Sequence, residues 1–244
     1  MVSRTITKFI KSLQLKKYRK LEQLFLVEGD KSVVEVLQST YKVRQVLSTQ
    51  EFQERYPELL KSTERITANE RELSAMGNFR TNNSAIAVVE MSSNTPFEIA
   101  DGFGIVLDDV NDPGNLGTII RVADWYGFSR IVASLNTADL YNPKVISASK
   151  GSFTRVRLYY TDLSVYLKEA NVPIFGAFME GDSVHKIEFR ERGLIVMGNE
   201  SNGISDELSP LISKRISIPR YGQAESLNVG VATAVICDNL RRST

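Results

Sequence analysis

Apolar positions along the chain follow two periods, and the switches between them mark out its elements. In residues 3–20, Ile6, Phe9, Ile10 and Leu13 fall on one face of a helix. LFLVEG (Leu24 to Gly29) is a continuous apolar run stopped by glycine, which predicts a short buried strand. DKSVVEVLQS predicts a helix with Asp30 as its N-cap. Then come a strand in YKVRQVLST, a helix in EFQERYPELL broken at Pro57, a strand in RITA, a helix in ERELSAM and a strand in AIAVVE. This alternation predicts a small α/β layer domain over residues 1–92. MSSNTPFEIADG is polar, carries one proline, and predicts a linker over 93–102.

Residues 103–244 repeat the alternation on a larger scale. GFGIVLDDV is a buried strand, and Asp112-Pro113 supplies an N-cap and first-turn proline for a helix whose core face is Leu116, Ile119, Ile120 and Ala123. RIVAS, RLYY, VPIFGAF, LIVMGNE and ISIPR read as strands. YNPKVISASKGS, TDLSVYLKEA, SDELSPLI and ESLNVGVATAVICDNLRR read as helices. Strands separated by helices predict a mostly parallel sheet covered on both faces. Three polar turns follow strands: Asp108 to Arg121, Gly198 to Gly203, and Pro219 to Asn228. Open parallel sheets bind ligands at such strand ends.

Composition narrows the chemistry. At 244 residues with 42% hydrophobic and 24% charged content, the chain has the make-up of a soluble protein with a real core. Its longest strongly apolar run, Val229 to Cys237, is too short to span a bilayer, so no membrane partner is expected. No apolar segment follows the basic N-terminus as in a signal peptide, and a cytoplasmic location is expected. One cysteine (Cys237) and one histidine (His185, read as structural) exclude an internal disulfide, a Cys/His zinc site and a Cys–His nucleophile pair. Asp108 and Asp109 are adjacent and would face opposite sides of a strand, so no metal is expected either. The phosphate-cradling GxxxxGK[ST] and dinucleotide GxGxxG patterns are absent.

The net charge of +1 hides an asymmetry. Residues 1–95 carry 15 Lys and Arg against 11 Asp and Glu, and the remainder 15 against 18. Residues 1–21 hold Arg4, Lys8, Lys11, Lys16, Lys17, Arg19 and Lys20 with no acid. Such a cluster is the footprint of a polyanion binder, or a solvated helix face; charge alone does not choose.

NLGTIIR (Asn115 to Arg121), MGNESNGIS (Met197 to Ser205) and IPRYGQAESLNVGVA (Ile218 to Ala232) resemble, in order, the three motifs of the SpoU/TrmH branch of SPOUT RNA 2′-O-methyltransferases. LFLVEG resembles the start of the L30e-like RNA-binding domain of the ribosomal-RNA members. The resemblance implies an L30e-like domain over 1–92 and a SPOUT domain over 103–244, with a C-terminal trefoil knot. It further implies S-adenosyl-L-methionine as cofactor, a homodimer packed through the knot, and RNA as substrate. The two-domain layout favours 23S ribosomal RNA over tRNA. A tRNA methyltransferase, a drug-resistance methyltransferase and a non-catalytic RNA-binding or ribosome-assembly factor are the alternatives.

Residue roles follow from the same resemblance. Arg121, Asn115, Glu200, Ser226 and Asn228 are the catalytic candidates. Met197, Gly198, Asn199, Ile218, Leu227 and Asn228 would hold the cofactor. Lys8, Lys11, Lys16, Lys17, Arg19, Lys20 and Glu28 would meet RNA. A guanidinium is always protonated, so Arg121 is read as a phosphate clamp and alkoxide stabiliser rather than a base. Asn115 could instead bond only locally, Glu200 could be an exposed carboxylate, and Ser226 a plain N-cap. Arg220-Tyr221 departs from the small pair relatives often carry there.

Overall fold

The computed structural model describes residues 2–99, 102–190 and 192–243, so Ala100 and Asp101 of the expected linker lie outside the described residues. The chain divides into two compact units. The first comprises Met1–Ser93 with Tyr141–Thr154, the second Asn94–Leu140 with Arg155–Thr244.

The first unit is a four-stranded sheet of order β1 (Leu24–Glu28), β4 (Ala85–Glu90), β2 (Val43–Ser48), β3 (Glu64–Thr67), with only β2 and β3 parallel. The expected first helix is two. α1 (Arg4–Ser12) ends at Leu13, and α2 (Lys16–Glu22) starts after Leu15. Arg19 is the physical reason. It is buried, and its Nη1 donates to the carbonyls of Leu13 (3.2 Å) and Gln14 (2.8 Å), satisfying groups that α1 leaves open at its end. Arg19 is therefore not an RNA-facing cation.

Ile10 and Leu13 pack on Leu24, Leu26, Ile86 and Val88 of one sheet face, with Leu73 and Met76 of α5 (Glu70–Met76). α3 (Asp30–Leu37) is capped by Gly29 rather than Asp30, whose carboxylate instead accepts from Arg55 Nη1 and the Tyr56 hydroxyl. α4 (Gln50–Arg55) stops short of Pro57 as expected.

The second contribution to this unit is the segment 141–154, expected to belong with residues 103–244. It holds α7 (Pro143–Ser149), where Val145 and Ile146 are buried. It also places the rings of Tyr141 and Phe153 on Phe25, at centroid distances of 4.6 and 5.9 Å. Tyr41 closes the cluster against Phe153 at 5.6 Å, and burial pushes its phenol well above the usual range.

The second unit is a six-stranded, wholly parallel sheet of order β10 (Lys214–Ser217), β8 (Ile174–Ser183), β9 (Gly193–Met197), β5 (Phe103–Leu107), β6 (Arg130–Ala133), β7 (Arg157–Tyr160). One face packs Val106, Val132, Leu194 and Val196 on Leu163 and Leu167 of α8 (Leu163–Glu169). By the two-residue period Ile105 and Leu107 face the other way. α6 (Pro113–Trp125) and α9 (Val229–Ser243) pack together, burying Leu116, Ile119, Ile120 and Ala123, and Val229, Ile236, Cys237 and Leu240. The helix expected in SDELSPLI shrinks to a 3-10 turn at Ser209–Leu211, since Pro210 cannot donate into a longer helix. Another 3-10 turn forms at Val184–Lys186. Its exposed His185 places Nδ1 2.9 Å from Asn239 Oδ1 on α9. No helix among the described residues is long and apolar enough to cross a membrane.

Candidate active site

The winding of the larger sheet fixes where a ligand site can form. β5 sits mid-sheet. The chain runs outward through β6 and β7 on one side, then returns to β8, β9 and β10 on the other. The crevice between β5 and β9 is thus the switch point, where the helices following adjacent strands diverge. Leu107 and Met197, the last residues of those strands, are register partners, and the Asp108 amide donates to the Met197 carbonyl at 2.9 Å. Two of the three polar turns leave the sheet side by side.

Both turns are held by side chains that bond backbone. Asp108 is buried, and its Oδ2 accepts from the Ser205 amide at 2.7 Å. Asp109 takes a left-handed conformation (φ 55°), uncommon for a residue with a Cβ. Its carboxylate accepts from the Ser134 hydroxyl (2.6 Å) and from Asn136 Nδ2 (3.3 Å) beyond β6, and its carbonyl accepts from Asn199 Nδ2 (2.7 Å). Asn199 Oδ1 accepts from the amides of Ser201 and Asn202, shaping 199–203 into a tight turn. Gly198 must be glycine: a Cβ there would collide with the Gly203 carbonyl carbon and the Ile204 nitrogen. Asp108, Asp109 and Ser134 lie outside the residues expected in the site, and the acidic doublet closing a buried strand is the sequence signal that points to them.

The third turn reaches across. β10 lies three strand positions from β5, about 14 Å at usual strand spacing. Residues 218–228 cover that span and deliver Asn228 to α6. Asn228 Nδ2 donates to Asn115 Oδ1 at 2.8 Å, and Asn115 Nδ2 donates to Glu200 Oε1 at 2.7 Å. One asparagine on α6 thereby ties together all three turns. Asn115 is itself set by the α6 cap, its amide donating to Asp112 Oδ1 at 2.9 Å. Asn228 also caps α9, its Oδ1 accepting from the amides of Gly230 and Val231.

The remaining candidates stand differently. Asn228 takes the cap position considered for Ser226, which is exposed and makes no hydrogen bond among the described residues. Arg121 is exposed and likewise unbonded among them. It lies six residues, about 9 Å of helix rise, beyond Asn115, and helical spacing turns it to another side of α6. Met197 is buried, Ile218 half-buried and Leu227 half-exposed. Tyr221 is 91% exposed on the outside of the third turn. Glu28 of the first unit is buried, accepting from the amides of Asn78 and Phe79 and from Asn78 Nδ2, so it pins a turn and does not face RNA.

The turns leave donors and acceptors for a ligand. Among the described residues, the backbone of 218–227 makes no backbone–backbone hydrogen bond, and of its carbonyls that of Ala224 accepts from Arg220 Nη1 at 3.4 Å. That suits a group recognised through main-chain N–H and C=O, such as an adenine and ribose. No cluster of His, Cys, Asp and Glu suited to a metal occurs among the described residues. A cavity of about 630 Å³ lies at the opposite end of the sheet, at Phe103, Ser129 and Arg130, away from these turns.

Residues 102–238 match the SpoU rRNA Methylase family, and residues 5–87 an MRM3-like substrate binding domain. The chain is 34% identical, over 95% of its length and 94% of the relative's, to the 23S rRNA (guanosine(2553)-2′-O)-methyltransferase RlmP of Bacillus subtilis. Its fold is similar to a TrmH-family protein from Porphyromonas gingivalis (TM-score 0.87, 32% identity, 100% of both chains). It is similar also to the SpoU methyltransferase AviRb from Streptomyces viridochromogenes in complex with AdoMet (TM-score 0.86, 26% identity, 98% of both chains).

Proposed function

The chain belongs to the SpoU rRNA methylase family, and on that premise we propose that it transfers a methyl group from S-adenosylmethionine to a ribose 2′-hydroxyl of 23S ribosomal RNA in the cytoplasm. The observation that carries the reading is the convergence of three turns on Asn115 at the sheet's switch point. Preference for ribosomal RNA over tRNA is supported by a relationship that runs through both domains to a 23S enzyme.

S-adenosylmethionine, when bound, supplies an electrophilic methyl on a sulfonium, a leaving group that needs no metal. The main chain around Ile218 and Leu227, together with Met197, Gly198 and Asn199, would hold its adenosine moiety through N–H and C=O groups left without backbone partners in 218–227. Asn115 and Asn228 hold the turns in register, and Glu200, oriented by Asn115, positions the target ribose. Ser226 is exposed beside this main chain and available to it.

Arg121 cannot act as a base, because a guanidinium does not lose its proton near neutral pH. Its role is to clamp the adjoining RNA phosphate and offset charge developing on the 2′-oxygen. In one chain it faces away from Asn115, which suits a homodimer in which α6 of one copy serves the crevice of the other. Exposed apolar residues on both helices, Trp125 at 82% and Val231 at 49%, support that pairing.

The test is to map ribose methylation on unmodified 23S rRNA incubated with the protein and S-adenosylmethionine. A new 2′-O-methyl site is expected. Cofactor binding without any such site would reject the enzyme reading in favour of an RNA-binding factor.

A further inference from the structure

α2 presents to solvent a face that the catalytic reading does not use. Arg19 is buried, and helical spacing puts Lys17 and Leu21 on the side opposite it, with Lys20 and Tyr18 on the two flanks. Leu21 is 71% exposed, Tyr18 37%, and Leu15 just before the helix 59%. These residues are therefore not core. Nor is the face simply solvated, because exposed Leu21 and Tyr18 lie side by side next to the adjoining pair Lys17 and Lys20. The Lys17 ammonium sits 6.0 Å from the centre of the Tyr18 ring. Two hydrogen bonds from Arg19 to the end of α1 fix the orientation of the whole helix, so the platform is pre-formed.

Resting on the RNA methyltransferase reading, we propose that this face binds an unpaired stretch of the substrate RNA. A splayed base stacks on Tyr18 against Leu21, and Lys17 and Lys20 follow its phosphates. Single-stranded nucleic-acid sites combine these two components: a cationic track for the backbone and an aromatic ring for the base. A fully paired A-form helix offers no free base face to such a ring. A protein partner fits less well, since the centres of protein interfaces are depleted in lysine. The residues before Glu22 contain no acid that would repel phosphate.

The test measures binding of the full-length protein to an RNA hairpin with an open mixed-sequence loop and to a fully paired duplex of equal strand length. The hairpin is expected to bind more tightly. Tyr18→Ala and Leu21→Ala should each lower hairpin affinity, Tyr18→Ala by about tenfold, with little change for the duplex. Tyr18→Phe should behave as wild type. Lys17→Gln with Lys20→Gln should weaken both RNAs and flatten the salt dependence.

Leu21 is too exposed for its truncation to threaten folding, so that variant keeps the result readable even if Tyr18→Ala proves unstable. Equal wild-type affinity for hairpin and duplex, or hairpin binding indifferent to both truncations, would overturn the proposal. If rRNA is methylated normally while those truncations change nothing, only this inference fails. If no RNA is methylated at all, the enzyme reading fails first. Recovery of a bound protein in place of RNA, lost on Leu21→Ala, would mark the face as a protein contact and refute it.

Discussion

Asn115→Asp is the substitution that interrogates the site most directly. It keeps shape and volume but replaces the Nδ2 donor with a carboxylate oxygen 2.7 Å from Glu200 Oε1. Two like charges about 4 Å apart repel by about 4 kcal/mol at an effective surface dielectric and about 1 kcal/mol in bulk water. The pair is open to solvent and its side chains can swing apart, so a cost of about 1–2 kcal/mol is expected. At 1.36 kcal/mol per decade this is a roughly 5- to 30-fold fall in kcat/KM.

The assay is single-turnover transfer of a tritiated methyl group to unmodified 23S rRNA, with thermal melting to check the fold. Added salt should relieve part of the defect by screening. Combining Asn115→Asp with Glu200→Gln removes the repulsion, so the double variant should lose less than the product of the two single losses. Strictly multiplicative losses, or an Asn115→Asp enzyme of wild-type activity, would refute the idea that this hydrogen bond holds the catalytic turns together.

Other expectations follow from neighbouring features. Arg121→Lys keeps the charge and loses the fork, and kcat should fall at least about tenfold; wild-type turnover would remove the bidentate clamp. Arg19→Leu leaves the Leu13 and Gln14 carbonyls without their donor and should cost about 1–3 kcal/mol, read as a lowered Tm, whereas Lys17→Gln should leave Tm unchanged. Gly198→Ala forces backbone against backbone and should lower both Tm and S-adenosylmethionine affinity measured by calorimetry; an unchanged Tm would show that the turn can yield. Burial pushes the Cys237 thiol up to about 12, so it stays neutral across the working pH range and native protein at pH 8 should resist iodoacetamide until denatured; rapid native labelling would contradict that burial.

Elements governed by local signals were legible from residues alone. ERELSAM and AIAVVE are α5 and β4 to the residue, because a capping Asn69 and an unbroken apolar run act over a few positions. Asp112-Pro113 starts α6 for the same reason. What local pattern could not supply was tertiary choice. Nothing in residues 3–20 says that Arg19 will turn inward and divide the helix. Ser226 and Asn228 are both plausible caps, and the bond from Asn228 to Asn115, 113 residues away, accompanies the cap that forms. The motif turns were recognisable, but the Asp109–Ser134 brace beneath them depends on a strand pairing that sequence spacing does not encode.

The first unit is not one continuous stretch of chain. Its aromatic cluster needs Phe25 and Tyr41 from the beginning and Tyr141 and Phe153 from a hundred residues later. A gene fragment ending at Ser93 would therefore leave Phe25 and Tyr41 uncovered and express poorly. One extended by a linker to residues 141–154 should fold better. The same arrangement constrains inheritance. An exchange of residues 1–93 alone for those of a relative would therefore be expected to lower stability unless residues 141–154 came with them. Substitutions at positions 25, 41, 141 and 153 are then expected to change together, and a new RNA specificity to arise by altering the surface of this unit more readily than by replacing it.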